Sequence, residues 1–235
     1  TTFGDNNDII DGIWGIYKDT LSMYMIVNQI EKDENGNIWV VNPFCEQFGN
    51  ILAVQSADDD SWSHVKIPDS SSFRPQTITF DQLNRAWLGF AFETNEINYS
   101  MGGIKVFKYS NINFDPDYSD WISIINPTFL PGGDSQASVW SLVFDQMNFL
   151  WVMNEKGIQG YEVSGLNEIT IDPIQKYVDE HDKIVQIDFL THLSYSKGNR
   201  IRVDSQNNKW IITHQGIWVI QESMVFWPSE EGLNS

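Results

Sequence analysis

The sequence is short of cysteine, of positive charge and of long apolar runs, and each shortage removes a class of function. Cys45 is the only cysteine in 235 residues, so no internal disulfide and no multi-cysteine metal site can form. Lys and Arg number 14 against 32 Asp and Glu, a formal charge of -18. A field of that sign repels phosphate backbones and anionic lipid headgroups, so neither nucleic acid nor direct membrane insertion is expected. No apolar run approaches the roughly 18 residues of a membrane span, and the first residues, "TTFGDNND", carry no basic and then apolar leader. Aromatic residues are what the chain has in quantity: 14% of it, with ten Trp, which argues for repeated packing of large flat side chains and against disorder. A protein of this length buries a substantial core, as one large all-β domain or two small ones.

One box recurs four times: "DENGNIW" from Asp33, "DQLNRAW" from Asp81, "DQMNFLW" from Asp145 and "DSQNNKW" from Asp204. The offset from Asp to Trp is six in every copy, pairing Asp33 with Trp39, Asp81 with Trp87, Asp145 with Trp151 and Asp204 with Trp210. Ile30, Ile78, Leu142 and Ile201 lie three residues before the Asp, and Phe80, Phe144 and Val203 one before it. That period of two predicts a strand leading into each box. The Asp carboxylate can then accept from amides two residues ahead, and the following Gly or Asn tolerates the positive φ of a hairpin. The box therefore predicts a turn, with the Trp offering roughly 150–250 Å² of apolar surface to a neighbouring sheet.

After the turn come "IWVV", "AWLGF", "LWVM" and "KWII", apolar on both faces, as expected of a strand sandwiched between sheets. A third strand starts at Gly49, Gly103, Gly157 and Gly216, and a more polar fourth strand closed by proline at Trp62, Trp121 and Met224. Helical periodicity is confined to "PIQKYVDEHDK" from Pro173. Strand, box, strand, glycine turn, strand and polar edge make one four-stranded antiparallel blade, repeated at Trp-to-Trp spacings of 48, 64 and 59 residues. The expected fold is an all-β propeller with a partial blade over 1–26 and boxed blades over 27–72, 73–134, 135–195 and 196–235. "DGIWGIYKDT" from Asp11 reads as the third strand of a blade without a box, and "PSEEGLNS" from Pro228 as the approach to a further blade, so a segment of a larger propeller is expected.

These boxes, followed by a Gly-Ile strand and a "GLNS"-like lead-in, resemble the two-component regulator propeller repeats over nearly the whole sequence. Those repeats occur in periplasmic sensor regions of bacterial hybrid histidine kinases and in surface or secreted proteins associated with type IX secretion. "GNIWVVNPF", "GGIKVF" and "SLVFDQMNFLWV" look closest to the secreted group. The resemblance implies an extracytoplasmic, secreted, surface or periplasmic module of a larger bacterial protein, non-enzymatic and without cofactor. An oligosaccharide-sensing kinase ectodomain is the alternative within binding proteins.

Two enzymatic readings compete. The sialidase Asp box has a spacing of five rather than six, and its chemistry needs three converging arginines. Only Arg74, Arg85, Arg200 and Arg202 exist, with Arg85 inside a turn and the last two expected on opposite faces of one strand. A propeller lyase of the streptogramin-inactivating type carries similar turns, but needs a His beside a metal site. His64, His181, His192 and His214 are scattered, with His214 the residue to test. Metal is not expected. "NFDPDYSD" from Asn113 has Tyr118 and Ile124 where a calcium loop needs Gly and Glu, and Asp58, Asp59 and Asp60 read as a solvated turn.

Long second turns, "NPFCEQFGN" from Asn42 and "AFETNEINYSMGG" from Ala91, depart from the regular scaffold where the third blade has only "NEKG". Insertions of this kind are where binding is usually built. Phe44, Arg74, Phe92, Tyr99, Phe129 and His214 are accordingly the candidate contacts for a protein or glycan ligand, with the alternative that the rings cover blade edges.

Overall fold

The structure is a computed structural model that describes residues 13–14, 23–24, 26–43, 50–66, 74–94, 99–110, 114, 121–124, 137–165, 169–174, 177–178, 184–185 and 195–221. Every regular element among them is a β-strand, and every pairing is antiparallel. The protein divides into two compact units, Thr1–Ile125 and Asn126–Ser235.

In the first unit, β1 (Ile13–Trp14) pairs with β2 (Met23–Tyr24). The first boxed sheet runs in sequence order through β3 (Gln29–Lys32), β4 (Ile38–Val41), β5 (Asn50–Gln55) and β6 (Trp62–Lys66). The second is built from β7 (Pro75–Phe80), β8 (Arg85–Phe90), β11 (Ile104–Lys108) and β12 (Trp121–Ile124). Between β8 and β11 stands a separate hairpin of β9 (Phe92–Thr94) and β10 (Tyr99–Met101). The insertion expected as a long turn is thus itself a small antiparallel ladder.

In the second unit, the third boxed sheet runs through β13 (Val139–Phe144), β14 (Phe149–Asn154), β15 (Gly157–Ser164) and β16 (Thr170–Pro173). A short hairpin pairs β17 (Tyr177–Val178) with β18 (Ile184–Val185). The fourth sheet contains β19 (Arg200–Val203), β20 (Lys209–Thr213) and β21 (Gly216–Ile220). One expectation is corrected here. The stretch with helical periodicity supplies the end of β16 and the strand β17, because Pro173 closes an edge strand and Tyr177 and Val178 suit a pleated surface. Within the repeat, Ile30 departs from its counterparts: it is 62% exposed, whereas Ile78, Leu142 and Ile201 are fully buried. The fourth strand expected at Met224 lies outside the described residues, as do the prolines expected to close β6 and β12.

The core of the first unit forms where the face of the first sheet bearing Trp39, Val41, Leu52 and Val54 meets Ile78, Ala86, Leu88 and Phe107 of the second. That of the second unit joins Trp151, Met153 and Ile158 to Ile201, Ile211 and Ile220. In each, the boxed Trp of one sheet is covered by the sheet that follows it.

Candidate functional site

The boxes are the most regular chemistry in the protein. In all four, the Asp amide bonds the carbonyl four residues on, and the amide three residues on returns to the Asp carbonyl. The residue closing that turn is left-handed: Gly36 at φ 92°, Asn84 at 56°, Asn148 at 64° and Asn207 at 63°. Asn reaches this region because its short side chain bonds locally, and Gly because it has no Cβ.

The two carboxylate oxygens divide the work. Oδ1 accepts from the amides two and four residues ahead: Asn35 and Asn37 at 3.0 and 2.9 Å, Leu83 and Arg85 at 2.9 and 3.0 Å, Met147 and Phe149 at 3.0 and 2.9 Å, Gln206 and Asn208 both at 2.9 Å. Oδ2 accepts the indole Nε1–H of the boxed Trp, at 2.9 Å for Trp39 and Trp87, 3.1 Å for Trp151 and 2.8 Å for Trp210. The offset of six is therefore a direct hydrogen bond across the hairpin, which spacing alone does not reveal. A buried indole N–H requires an acceptor, and a charged one makes the stronger bond.

Each Oδ2 has a second donor, and its source varies. Asn37 and Asn208 reach back to their own Asp at 2.8 and 2.9 Å, and Arg85 pairs with Asp81 at 2.5 Å while its guanidinium carbon lies 5.7 Å from the Trp87 ring centroid. In the third box Phe149 occupies the equivalent place, and Lys209 of the fourth sheet supplies the donor, 2.9 Å from Asp145 and 5.5 Å from the centre of the Trp151 ring. Tyr109, following β11 of the second sheet, donates to Asp33 of the first at 2.9 Å. Burial first, and then the Asp33 carboxylate, hold the Tyr109 phenol protonated far above its ordinary range. The Asp204 carboxylate is lowered from 3.8 to about 2, chiefly by the bond from Trp210 and then by that from Asn208.

Outside the boxes, Arg74 sits at the root of the β9–β10 hairpin. Its carbonyl accepts the amide of Ala91 at 2.8 Å, and its Nε lies 3.3 Å from Glu93 Oε2. The guanidinium side is buried and the carboxylate about one third exposed. Arg74 and the hairpin carrying half-buried Phe92 are thus brought together. Phe92 and Glu93, being adjacent on a strand, point to opposite faces. Of the other candidate contacts, His214 is exposed in the turn between β20 and β21, in the second unit. Tyr99 contributes its backbone to β10, with its side chain outside the described set, and Phe44 and Phe129 lie outside the described residues.

The arginines of β19 require a correction. Arg200 and Arg202 are two residues apart on one strand and therefore share a face, not opposite ones. The Arg200 pKa is lowered by burial and then by the charge of Arg202, and its guanidinium donates to the carbonyls of Trp140 at 3.2 Å and Asn199 at 2.8 Å. In the acidic turn, Asp59 accepts from the hydroxyl and amide of Ser61 at 2.6 and 3.0 Å, which lowers its pKa, and Asp60 is left-handed at φ 58°. No group of three His, Cys, Asp or Glu able to hold a metal ion occurs among the described residues.

No protein-family model matches the sequence, and no curated protein matches it. Solved structures match its fold. With a TM-score of 0.60 and 15% identity, 99% of this protein aligns to 30% of PorZ, an essential bacterial surface component of the type-IX secretion system of Porphyromonas gingivalis. A protein described as a gluconolactonase aligns over 86% of this protein and 64% of its own length, with TM-score 0.53 and 12% identity. The extracellular domain of a hybrid two component system from B. thetaiotaomicron aligns over 93% of this protein and 23% of its own length, with TM-score 0.50 and 14% identity. The fold is that of a β-propeller. The sequence spans less than two thirds of the length of each of these proteins, and at such identities the likeness concerns the fold alone.

Proposed function

We propose that the protein is a non-catalytic recognition or scaffold module, built of propeller blades, within a larger extracytoplasmic bacterial protein of the secreted or surface-attached kind. The observation that carries this reading is the division of labour in the molecule. The four carboxylates and four indoles of the boxes are engaged with one another and with turn amides, while the irregular β9–β10 hairpin rises from an otherwise repetitive sheet on a buried arginine. Side chains bound up in joints are poor candidates for chemistry, and an insertion on a regular scaffold suits contact with a ligand. Arg74 and Phe92, both in the first unit, are the proposed ligand contacts. The proposed ligand is a protein or a glycan. The likeness to PorZ and to the extracellular domain of the two component system supports the setting through fold only.

The test is to screen the purified protein against an oligosaccharide array and, in parallel, for turnover of lactone substrates. Saturable binding without turnover, lost in an Arg74→Ala/Phe92→Ala double variant that retains its melting temperature, supports the reading. Turnover abolished by His214→Ala replaces it with a propeller lyase, and binding unchanged in the double variant removes the hairpin from the site.

A further inference from the structure

The four boxes share a hairpin geometry but differ in one covalent respect. Only the first contains an Asn followed by Gly, Asn35–Gly36, and no other such step exists in the sequence. Asn84, Asn148 and Asn207 are followed by Arg85, Phe149 and Asn208. Asn35 is exposed at the tip of the turn, and Gly36 offers no Cβ to shield the amide nitrogen that follows the Asn side group. We propose that Asn35–Gly36 is a site of slow self-modification by deamidation, and that the reaction loosens the first box.

The chemistry needs only water and base. A base removes the proton of the Gly36 amide, whose nitrogen forms a bond to Asn35 Cγ. The Cγ–Nδ2 bond of Asn35 breaks, ammonia leaves, and a cyclic imide remains. Water then opens either carbonyl of the imide, giving aspartate or isoaspartate and no net oxidation. In the folded turn the Gly36 N–H donates to the Asp33 carbonyl at 3.1 Å, so the nucleophile becomes available when this hairpin opens locally. The isoaspartyl product inserts one carbon into the backbone between residues held by a single carboxylate oxygen, since Asp33 Oδ1 bonds the amides of Asn35 and Asn37 on either side. It also adds a negative charge beside Asp33 and Glu34, where like charges repel.

The experiment is to incubate the folded protein at mildly alkaline pH, digest it and quantify amide-to-acid conversion and isoaspartate at each Asn by mass spectrometry, with a parallel sample in urea. Conversion is expected at Asn35 ahead of Asn84, Asn148 and Asn207, faster in urea than in buffer, and the aged protein is expected to melt at a lower temperature. Conversion at Asn35 no faster than at the other three, or no conversion in the folded state, overturns the proposal. An Asn35→Asp variant carries the charge without the added backbone atom. Retention of the original melting temperature by that variant supports the lengthened backbone as the cause of loosening, and a fall equal to that of the aged protein refutes it.

Discussion

The joint between the first and second sheets and the joint between the third and fourth solve one problem with different residues. In the first, Trp39 is enclosed by aromatic rings: Phe80, Phe107, Tyr109 and Phe114 lie with centroids 5.5, 6.2, 4.8 and 5.7 Å away. A phenol closes the contact on Asp33. In the second, Trp151 shares its cluster with Ile201, Ile211 and Ile220 of the fourth sheet and with Tyr195, and a lysine closes the contact on Asp145. The inner strands are stitched differently too. The Gln29 side group bonds both the amide and the carbonyl of Ile78, at 3.1 and 2.9 Å, while the Ser141 hydroxyl accepts only the amide of Ile201, at 3.1 Å. Gln29 and Ser141 hold the same place, four before the boxed Asp, and Ile78 and Ile201 the same place, three before theirs. The repeat thus preserves positions and the need for a donor, and leaves the identity of the donor open.

That difference can be broken by mutation. The largest effect is expected for Asp145→Ala, which removes the turn acceptor and leaves Lys209 buried without its carboxylate; a loss at the upper end of about 3–5 kcal/mol should appear in chemical denaturation. Trp39→Ala and Trp151→Ala each remove a fully buried plate and should cost about 3–5 kcal/mol in the same measurement, whereas Trp210→Ala, whose indole is only partly buried, should cost about 1–2 kcal/mol. Equal losses for Trp151 and Trp210 would contradict the idea that cover by a following sheet supplies the energy. Tyr109→Phe keeps the aromatic enclosure and deletes one bond to a charged acceptor that still has Trp39 and Asn37, so a loss near about 1.5 kcal/mol is expected. The smallest effect concerns acid. Asp204 is ordinarily half-protonated at 3.8 and in the fold at about 2, so its contribution is complete above the ordinary value and disappears as pH falls towards the folded one. The gap in melting temperature between the wild type and Asp204→Ala should narrow through that interval; since the group is open to solvent, the gap should also shrink with salt.

The sheet order and the turn are legible because they depend on neighbours in sequence: a period of two, an Asp that caps amides two residues on, and Gly or Asn at a left-handed position. The partners of the box are not. Tyr109 reaches Asp33 across 76 residues and Lys209 reaches Asp145 across 64, and both pairings exist only once two sheets are stacked. Arg85, a turn residue by sequence, is also the charge partner of Asp81. Of the candidate contacts, Arg74 stands out in the sequence for its charge alone; its place under the hairpin depends on the fold of β9 and β10, which a Gly-bounded insertion of mixed polarity conceals. The shared face of Arg200 and Arg202, by contrast, follows directly from strand periodicity, and the expectation of opposite faces misapplies that rule.

The unequal duties of the two carboxylate oxygens explain why the first residue of each box is aspartate when its near-isostere asparagine serves freely three residues later. An amide in that place can satisfy the turn through its oxygen only by aiming its NH₂ at the indole, setting donor against donor in a site that is buried in the first three boxes, and rotating the amide merely transfers the conflict to the turn. The hairpin therefore acts as a filter on drift: it accepts exchange between glycine and asparagine at the corner and rejects, at its head, a change of a single atom.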